Sequence, residues 1–254
     1  MPNQMISGFR QKILNWINPW VELPIFGLDI SDLSVKYIKF RRGSPGEIEF
    51  FGELILPPGL IENGEIKKED ELGRVLASWL SGDGRKLRRY FAAVSLPEER
   101  GFLRVLRLPK MKKEEVGNAV HWEIEANVPL KLEEAIYDYD ILHSAESDAD
   151  HIDVVLTAFP KNFVESYVRV LKSSGLRLAA LELEAQAVAR ASIPDFQDAQ
   201  AKIIVDIGRA RSGAAIFAGG GVIFTSTVEV GGKIFEEEIS RELGVNPSEA
   251  AQIK

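Results

Sequence analysis

The chain alternates between segments with an apolar residue at every second position and segments with apolar residues three or four positions apart. The first period predicts strands and the second predicts helices. The predicted strands are 26–30, 35–40, 48–56, 89–96, 101–108, 135–142, 151–158, 176–183, 202–207, 213–218 and 222–229. The predicted helices are 69–80, 112–127, 161–174, 184–192, 233–243 and a last one that starts near Pro247. This mixture of elements predicts an α/β fold.

The first 20 residues have a helical pattern of their own. Polar residues separate apolar side chains that recur at three- and four-residue steps, namely Ile6, Phe9, Ile13, Trp16, Ile17 and Trp20. The pattern predicts an amphipathic helix over 5–18, which Pro19 and Pro24 separate from the rest. Its tryptophans, together with Arg10 and Lys12, suit a helix in a membrane interface. The alternative is a helix that packs on its own domain or on a partner.

Composition narrows the class of protein. With 254 residues, 45% of them hydrophobic, the chain can fill a substantial core. Its formal charge of -7 gives no general attraction to nucleic acid, and the only dense basic stretch is RKLRR at 85–89. The absence of cysteine excludes disulfides and thiolate metal sites. Without a long apolar run or a signal peptide, the sequence predicts a cytoplasmic location.

Two stretches of the sequence share one strand-turn-strand pattern. FGLDISDLSVK at 26–36 and IIVDIGRARSGAAIF at 203–217 each contain an apolar strand that ends in Asp-Ile, a small residue, a polar turn and a returning strand. A single aspartate at a turn is common for local hydrogen-bonding reasons. Two copies instead predict a two-lobed nucleotide cleft, with Asp29 and Asp206 facing one Mg²⁺.

The chemistry of such a hairpin tip suits phosphate. Backbone N–H groups can point at phosphate oxygens where a small residue lets the backbone come close, and a lysine or hydroxyl can add a contact. On this reasoning the first hairpin offers the backbone near Ser31 with Lys36, and the second offers Gly208 with Ser212.

These hairpins resemble the phosphate-1 and phosphate-2 hairpins of the actin/Hsp70-like (ribonuclease H-like) and sugar-kinase fold. The order of the remaining segments is similar to the PilM family of type IV pilus assembly, relatives of the division protein FtsA. The similar segments are LRVLRLPKMKKEEVGNAVHWEIEANVPLKLEEAIYDYDIL at 103–142, LELEAQAVARA at 181–191 and VEVGGKIFEEEISRELGVNPSEAAQIK at 228–254. The resemblance runs from about Phe26 to Lys254.

The resemblance implies a two-lobed α/β fold with an inserted strand-helix-strand-strand subdomain, called 1C. The implied limits are an amphipathic segment at 1–24, the first part of subdomain 1A at 25–99, subdomain 1C at 100–159, the remainder of 1A at 160–192 and the start of 2A at 193–254. Subdomain 2B and a Gly-rich adenosine motif are expected after Lys254. We therefore expect a fragment with an incomplete second lobe, or else a protein that has abandoned the cleft.

The resemblance also implies ATP and Mg²⁺ as cofactors. The implied nucleotide site consists of Asp29, Ser31, Ser34, Lys36, Asp206, Gly208, Ser212, Gly231, Gly232 and Lys254. The sequence departs from the family pattern at Ser31, where a glycine is expected, and at Ala251, where a ribose contact is expected. Arg209 and Arg211 occupy a turn that is usually small, where they can bind phosphate or fill the space.

Three functions remain open. The first is an ATP-binding scaffold with little turnover, cytoplasmic but peripheral to the inner membrane, in type IV pilus assembly or a related secretion system. Its implied partner is the N-terminal cytoplasmic segment of a PilN-like membrane protein, docked between subdomains 1A and 1C, with pilus assembly ATPases as further partners. The second is a kinase or other enzyme of the same fold, although no catalytic base is evident between the hairpins. The third is an FtsA-like polymer former.

The helix at 112–127 carries Val116, Val120 and Ile124 at four-residue steps. Trp122 lies off that stripe and is interpreted as a packing residue. The three histidines, His121, His143 and His151, lack metal-ligand spacing and are assigned no chemistry.

Overall fold

The computed structural model describes residues 23–44, 46–142, 150–196 and 200–254. The helix predicted at 5–18 and His143 lie outside these residues. Within the part that is described, no helix is long and apolar enough to cross a membrane.

The observed elements follow the predicted order. The strands are β1 (Ile25–Ile30), β2 (Ser34–Phe40), β3 (Ile48–Ile55), β4 (Ile61–Glu62), β5 (Glu65–Ile66), β6 (Phe91–Leu96), β7 (Phe102–Pro109), β8 (Ala135–Ile141), β9 (His151–Pro160), β10 (Arg177–Leu183), β11 (Lys202–Ile207), β12 (Ser212–Ala218) and β13 (Gly221–Val228). The helices are α1 (Glu69–Ser81), α2 (Lys113–Asn127), α3 (Lys161–Ser173), α4 (Glu184–Ser192), α5 (Gly232–Leu243) and α6 (Pro247–Ile253). Short 3₁₀ turns lie at Arg85–Arg89, Glu98–Arg100 and Leu132–Glu134.

A five-stranded sheet in the order β10-β6-β1-β2-β3 forms the centre of the first lobe. Strands β10, β6 and β1 are parallel, while β2 and β3 return antiparallel. Because parallel strands point the same way, their carboxyl ends meet at one edge of the sheet and their amino ends at the other. Asp29, Pro97 and Glu184 lie at the carboxyl edge, and Ile25, Phe91 and Arg177 at the amino edge.

One face of this sheet is buried under helices α1 and α3. In β1 every second side chain is buried, starting with Phe26, and β6 repeats the pattern with aliphatic residues. The two helices pack on each other and join the same core. The Tyr167 hydroxyl of α3 is fully buried and donates to the Gly64 carbonyl at 2.7 Å. This bond fixes the small β4–β5 hairpin against the carboxyl edge of the sheet.

A second core belongs to the three-stranded sheet β7-β9-β8 and helix α2. Strand β9 serves both cores, because Val154 and Leu156 face α2 while Val155 and Phe159 join the first core. The inserted unit is therefore rigidly attached to the first lobe through one shared strand.

Trp122 on α2 is 78% exposed, so its interpretation as a packing residue is wrong. The buried stripe of α2 is complete without it, because Val116, Val120 and Ile124 fill the contact with the sheet. Trp122 contacts the His121 ring edge-on and otherwise faces outward.

The antiparallel sheet β11-β12-β13 begins the second lobe, and α5 and α6 follow it. Ala215, Phe217 and Val222 from this sheet are buried in the first core. The two lobes therefore share apolar contacts below the point where their hairpins face each other.

Candidate functional site

The first hairpin places Asp29 near the end of β1, on the face opposite the buried side chains. Ser95 of the neighbouring strand donates from its hydroxyl to the Asp29 carboxylate at 2.7 Å. Asp29 also lies opposite Lys36 in the antiparallel register. The Ser95 hydroxyl of the adjacent strand β6 therefore positions the carboxylate.

The turn of the first hairpin is closed by Ser31. Its backbone N–H and its hydroxyl both donate to the Ser34 carbonyl, at 2.9 and 3.1 Å, and its hydroxyl accepts from the Ser34 N–H at 3.2 Å. The serine in place of the expected glycine thus builds the turn with its own side chain. Its backbone N–H is committed to that turn.

The second hairpin depends on two glycines, at which a Cβ atom would clash with the backbone. Gly208 donates to the Arg211 carbonyl at 2.8 Å, and a Cβ on Gly208 would lie 2.9 Å from that oxygen. A Cβ on Gly231 would lie 2.7 Å from the backbone of this turn. The N–H groups of Gly232 and Lys233 donate to the carbonyls of Gly208 and Arg209, each at 2.9 Å. The start of α5 is therefore docked directly on the hairpin.

The two hairpins face each other across one cleft of about 1050 Å³. This volume is at the upper end of the range for small-molecule sites. The predicted site residues that line the cleft are Asp29, Ser31, Ser34, Lys36, Asp206, Gly208, Gly232 and Lys254. Ser212 does not line it, since its hydroxyl donates to the Val230 carbonyl at 2.6 Å. Gly231 lies behind the turn, where it allows the close approach of α5.

Lys254 also lines the cleft. Its Nζ lies 2.7 Å from Glu236 Oε1, and this hydrogen bond holds the pKa of Glu236 below its usual range. A Cβ on Gly232 would lie 2.5 Å from the same Nζ. Glu249, in contrast, serves as a cap of α6, where it bonds reciprocally with Asn246.

Glu184, which the sequence analysis missed, also lines the cleft. It is the first residue of α4, directly after β10 at the carboxyl edge of the sheet. Burial raises the pKa of Glu184 to about 7, and the negative charges of Asp29 and Asp206 add to the effect. A carboxyl group with this pKa can accept or release a proton near neutral pH, as a general base must.

Glu98 is a second carboxyl group that connects the lobes. Burial raises its pKa, while hydrogen bonds from Thr225 of β13 and the Ala185 backbone lower it. Glu98 therefore links the 3₁₀ turn after β6 to the sheet of the second lobe.

Arg211 spans the cleft from the second hairpin to the first lobe. Its guanidinium lies 3.0 Å from Asp32 Oδ2, 3.1 Å from Glu99 Oε1 and 2.5 Å from Asn63 Oδ1. Asp32 also accepts from the N–H groups of Asn63 and Gly64. The arginine therefore fills the turn and pairs with protein carboxylates. Arg209 is 67% exposed and lies 3.9 Å from Glu236.

The carboxylates of the cleft fit Mg²⁺ better than they fit a metal whose ligands all come from the protein. Within the described ranges, no group of three or more His, Asp or Glu side chains is arranged to hold a metal ion. Mg²⁺ commonly binds through one or two carboxylates, with water and phosphate oxygens completing its octahedron. Asp29 and Asp206 supply two carboxylates of this kind, one from each hairpin.

A family model described as "Type IV pilus assembly protein PilM" matches residues 27–254. A structure of the PilM–PilN type IV pilus biogenesis complex superposes with a TM-score of 0.74 at 21% identity, covering 92% of this chain and 70% of that one. MreB5 of Spiroplasma citri bound to ADP gives a TM-score of 0.51 at 13% identity, with 91% of this chain and 61% of that one covered. The cytoplasmic domain of EpsL, an inner-membrane component of the Vibrio cholerae type II secretion system, gives 0.53 at 10% identity, with 87% and 77% covered. These likenesses confirm the predicted actin-like α/β fold.

Proposed function

Because the chain belongs to the PilM family of type IV pilus assembly proteins, we propose that it is a scaffold that binds Mg-ATP in the cleft between its two lobes. The observation that carries this proposal is the pair of aspartate-bearing hairpins facing each other across one cleft. The ADP-bound relative of the same fold supports a nucleotide as the ligand.

The residues of the cleft have different proposed roles. Asp29 and Asp206 would hold Mg²⁺ through water or directly, and the ion would neutralise phosphate charge. Lys36 and the Gly208 turn would bind phosphate oxygens, while Gly232 and Lys254 would border the nucleoside end. Arg211 takes no part in this proposal, since Asp32, Glu99 and Asn63 already accept its hydrogen bonds.

The test is the thermal shift produced by Mg-ATP in the 254-residue chain. At one hundred times Kd, a ligand stabilises the fold by about 2.7 kcal/mol. For a protein of this size that is about 5–10 °C in Tm. Asp29→Asn and Asp206→Asn should lose most of the shift. Asparagine retains the oxygen that accepts from Ser95, so Asp29→Asn should fold normally.

Asp83→Asn is the matched control, because Asp83 is exposed at the turn after α1 and lies outside the cleft. The control should shift as the wild type does. Absence of any shift in the wild type at millimolar Mg-ATP would contradict the proposal, and Asp29 would then be an ordinary turn residue.

The proposed partner is the N-terminal cytoplasmic segment of a PilN-like inner-membrane protein. The complex of PilM with PilN supports this choice. An extended segment can dock in a groove through backbone pairing and side-chain pockets. We place this groove between the five-stranded unit and the inserted β7-β9-β8 unit. The limits 25–99 and 160–192 for subdomain 1A, 100–159 for 1C and 193–254 for 2A are part of this proposal.

Slow ATP hydrolysis is a second candidate function, and Glu184 favours it. A carboxyl group with a pKa of about 7, beside the proposed Mg²⁺ ligands, is suited to orient or deprotonate a water molecule. No such base was evident between the hairpins from the sequence. Phosphate release that Glu184→Gln abolishes, with the Mg-ATP thermal shift retained, would establish this activity.

The proposed location is the cytoplasmic face of the inner membrane. The EpsL relative is the cytoplasmic part of an inner-membrane component, which supports this location. The apolar face predicted for residues 5–18, with Trp16 and the nearby Trp20, would add direct membrane contact.

A further inference from the structure

A cluster of positive charge lies on the 3₁₀ turn between α1 and β6. Arg85, Lys86, Arg88 and Arg89 are all exposed there, and Leu87 between them is buried. None of the four forms an ion pair with another side chain in the described part of the chain. Asp83 is the one acidic residue in 83–89. The turn therefore presents a net positive charge to solvent.

Neighbouring strands fix this cluster and extend it. Arg177 of β10 donates to the Arg89 carbonyl at 2.7 Å, and its guanidinium lies 4.3 Å from the centre of the Phe91 ring. Lys86 Nζ lies 4.0 Å from the centre of the Phe50 ring. We call Arg85, Lys86, Arg88, Arg89 and Arg177 the basic face.

The basic face lies at the amino edge of the five-stranded sheet, opposite the cleft. The Phe91 N–H at the start of β6 donates to the Pro24 carbonyl at 2.8 Å, and Ile25 then pairs with Phe91. Pro24 and Ile25 therefore lie directly beside this face. Strand β1 has six residues, so the cleft lies about 20 Å away at the other end of the sheet.

We propose that the basic face docks on an anionic lipid surface. This inference rests on the membrane contact proposed above and adds the surface of the folded domain that takes part. Basic side chains attract acidic headgroups close to the surface of an anionic leaflet. The side chains of the basic face lie at one edge of the sheet, so they can contact one plane simultaneously.

Lipid is favoured over nucleic acid as the partner. The formal charge of the chain is -7, and the carboxylates of the cleft lie at the opposite edge, so a long polyanion that wrapped around the domain would be repelled. A flat anionic surface contacts only one edge of the domain. In this orientation the cleft points away from the membrane and stays open to nucleotide.

The expected effect can be scaled from single charges. A basic side chain close to an anionic leaflet contributes about a fivefold increase in binding, which salt screens. Replacing two such residues should therefore weaken binding roughly 25-fold, and reversing their charge should weaken it further.

The experiment measures binding of the 254-residue chain to vesicles of phosphatidylcholine, with and without phosphatidylglycerol. The test variant is Arg85→Glu/Arg89→Glu, since neither side chain forms a hydrogen bond or an ion pair with another described residue. Lys110→Glu/Lys113→Glu is the matched control, because it changes the net charge equally on the inserted unit. A third chain lacks residues 1–20. Thermal melts and the Mg-ATP thermal shift check the fold and the cleft of each chain.

The proposal predicts loss of binding to phosphatidylglycerol vesicles in Arg85→Glu/Arg89→Glu, normal binding in the control and an unchanged Mg-ATP shift. Equal binding of the wild type and the test variant would overturn it. If binding is then lost only in the chain that lacks residues 1–20, the membrane contact proposed for residues 5–18 is supported and the basic face is not. A wild type that binds no vesicle refutes both. Tighter binding to a single-stranded oligonucleotide, abolished by the same variant, would overturn lipid as the partner.

Discussion

Removal of the Arg211 guanidinium should destabilise the fold, because this group joins the two lobes. The arginine belongs to the second hairpin, whereas its partners Asp32, Asn63 and Glu99 belong to the first lobe. The side chains of Arg211 and Asp32 are each 20% exposed, and that of Glu99 is 24% exposed. The ion pairs are therefore intermediate between surface and buried pairs.

The magnitude follows from that position. Hydrogen bonds to charged groups contribute about 1.5–3 kcal/mol each, whereas exposed ion pairs contribute less than about 1 kcal/mol. Without Arg211, Asp32 keeps two backbone N–H donors, but Glu99 loses its ion-pair partner. We expect Arg211→Met to lower the free energy of unfolding by about 2–3 kcal/mol, because the partner carboxylates lose their counter-charge.

Urea unfolding of Arg211→Met, Glu99→Gln and the double variant measures this directly. Because the two side chains touch, their effects should couple by about 0.5–2 kcal/mol. Arg209→Met is the matched control in the same turn, and its 67% exposed side chain predicts a change below about 0.5 kcal/mol. Equal stability of Arg211→Met and Arg209→Met, or coupling below about 0.3 kcal/mol, would show that the contacts across the cleft do not hold the lobes together.

Two further predictions concern Glu184 and Trp122. Because the pKa of Glu184 is raised to about 7 in the folded protein, the folded state binds the proton more tightly, and the stability of the wild type should fall as pH rises from about 4.5 to about 7. Glu184→Gln should lack this decline, which we expect to be about 1–3 kcal/mol in the free energy of unfolding after discounting for partial exposure. Urea unfolding across that pH range measures the decline. Equal stability of the wild type and Glu184→Gln at every pH would contradict the prediction. Trp122→Ala should leave the Tm unchanged, because its side chain is 78% exposed, yet weaken binding of a PilN-like N-terminal peptide about tenfold or more. Phe51→Ala, at a 73% exposed aromatic on β3, is the control, and equal peptide binding by both variants would remove Trp122 from the interface.

Most strands and helices were predictable because each buries one face. The alternation in β1 and the helical spacing in α3 come directly from the residues that fill the first core. The β4–β5 hairpin was not predicted, since strands of two residues have no period. Its position depends on the Tyr167 bond to Gly64, whose two residues are 103 positions apart in the sequence.

Glu184 was missed although the sequence contains a signal for it. A predicted strand ends directly before Glu184, and ligands of α/β sheets bind where parallel strands end. The missing information was that β10 runs parallel to β6 and β1, which brings Glu184 to the edge that holds Asp29. The exposure of Trp122 was also predictable, because a helix position off a complete apolar stripe is expected to face solvent.

The role of Arg211 was not predictable from the sequence. Both alternatives, binding phosphate and filling the turn, suit a guanidinium. The choice depends on Asp32 and Glu99, which reach the turn only after the two lobes have packed on their shared apolar contacts. Side-chain pairing across a cleft is a consequence of the assembled fold, and local patterns contain no information about it.

The distribution of charge along the sheet connects the two proposals. Seven carboxylates line the cleft, namely Asp29, Asp32, Glu53, Glu98, Glu99, Glu184 and Asp206. Carboxylates this close disfavour one another's ionisation, and the protein offsets this with Arg211 beside Glu99 and with a raised pKa at Glu184. Asp29 has only the neutral Ser95 hydroxyl as a close hydrogen-bond donor among the described side chains, so a bound cation would relieve the repulsion there. The basic face at the amino edge has the opposite charge. An anionic membrane would therefore attract one edge and repel the other, and the same field that orients the domain would leave the cleft facing the solution that supplies Mg-ATP.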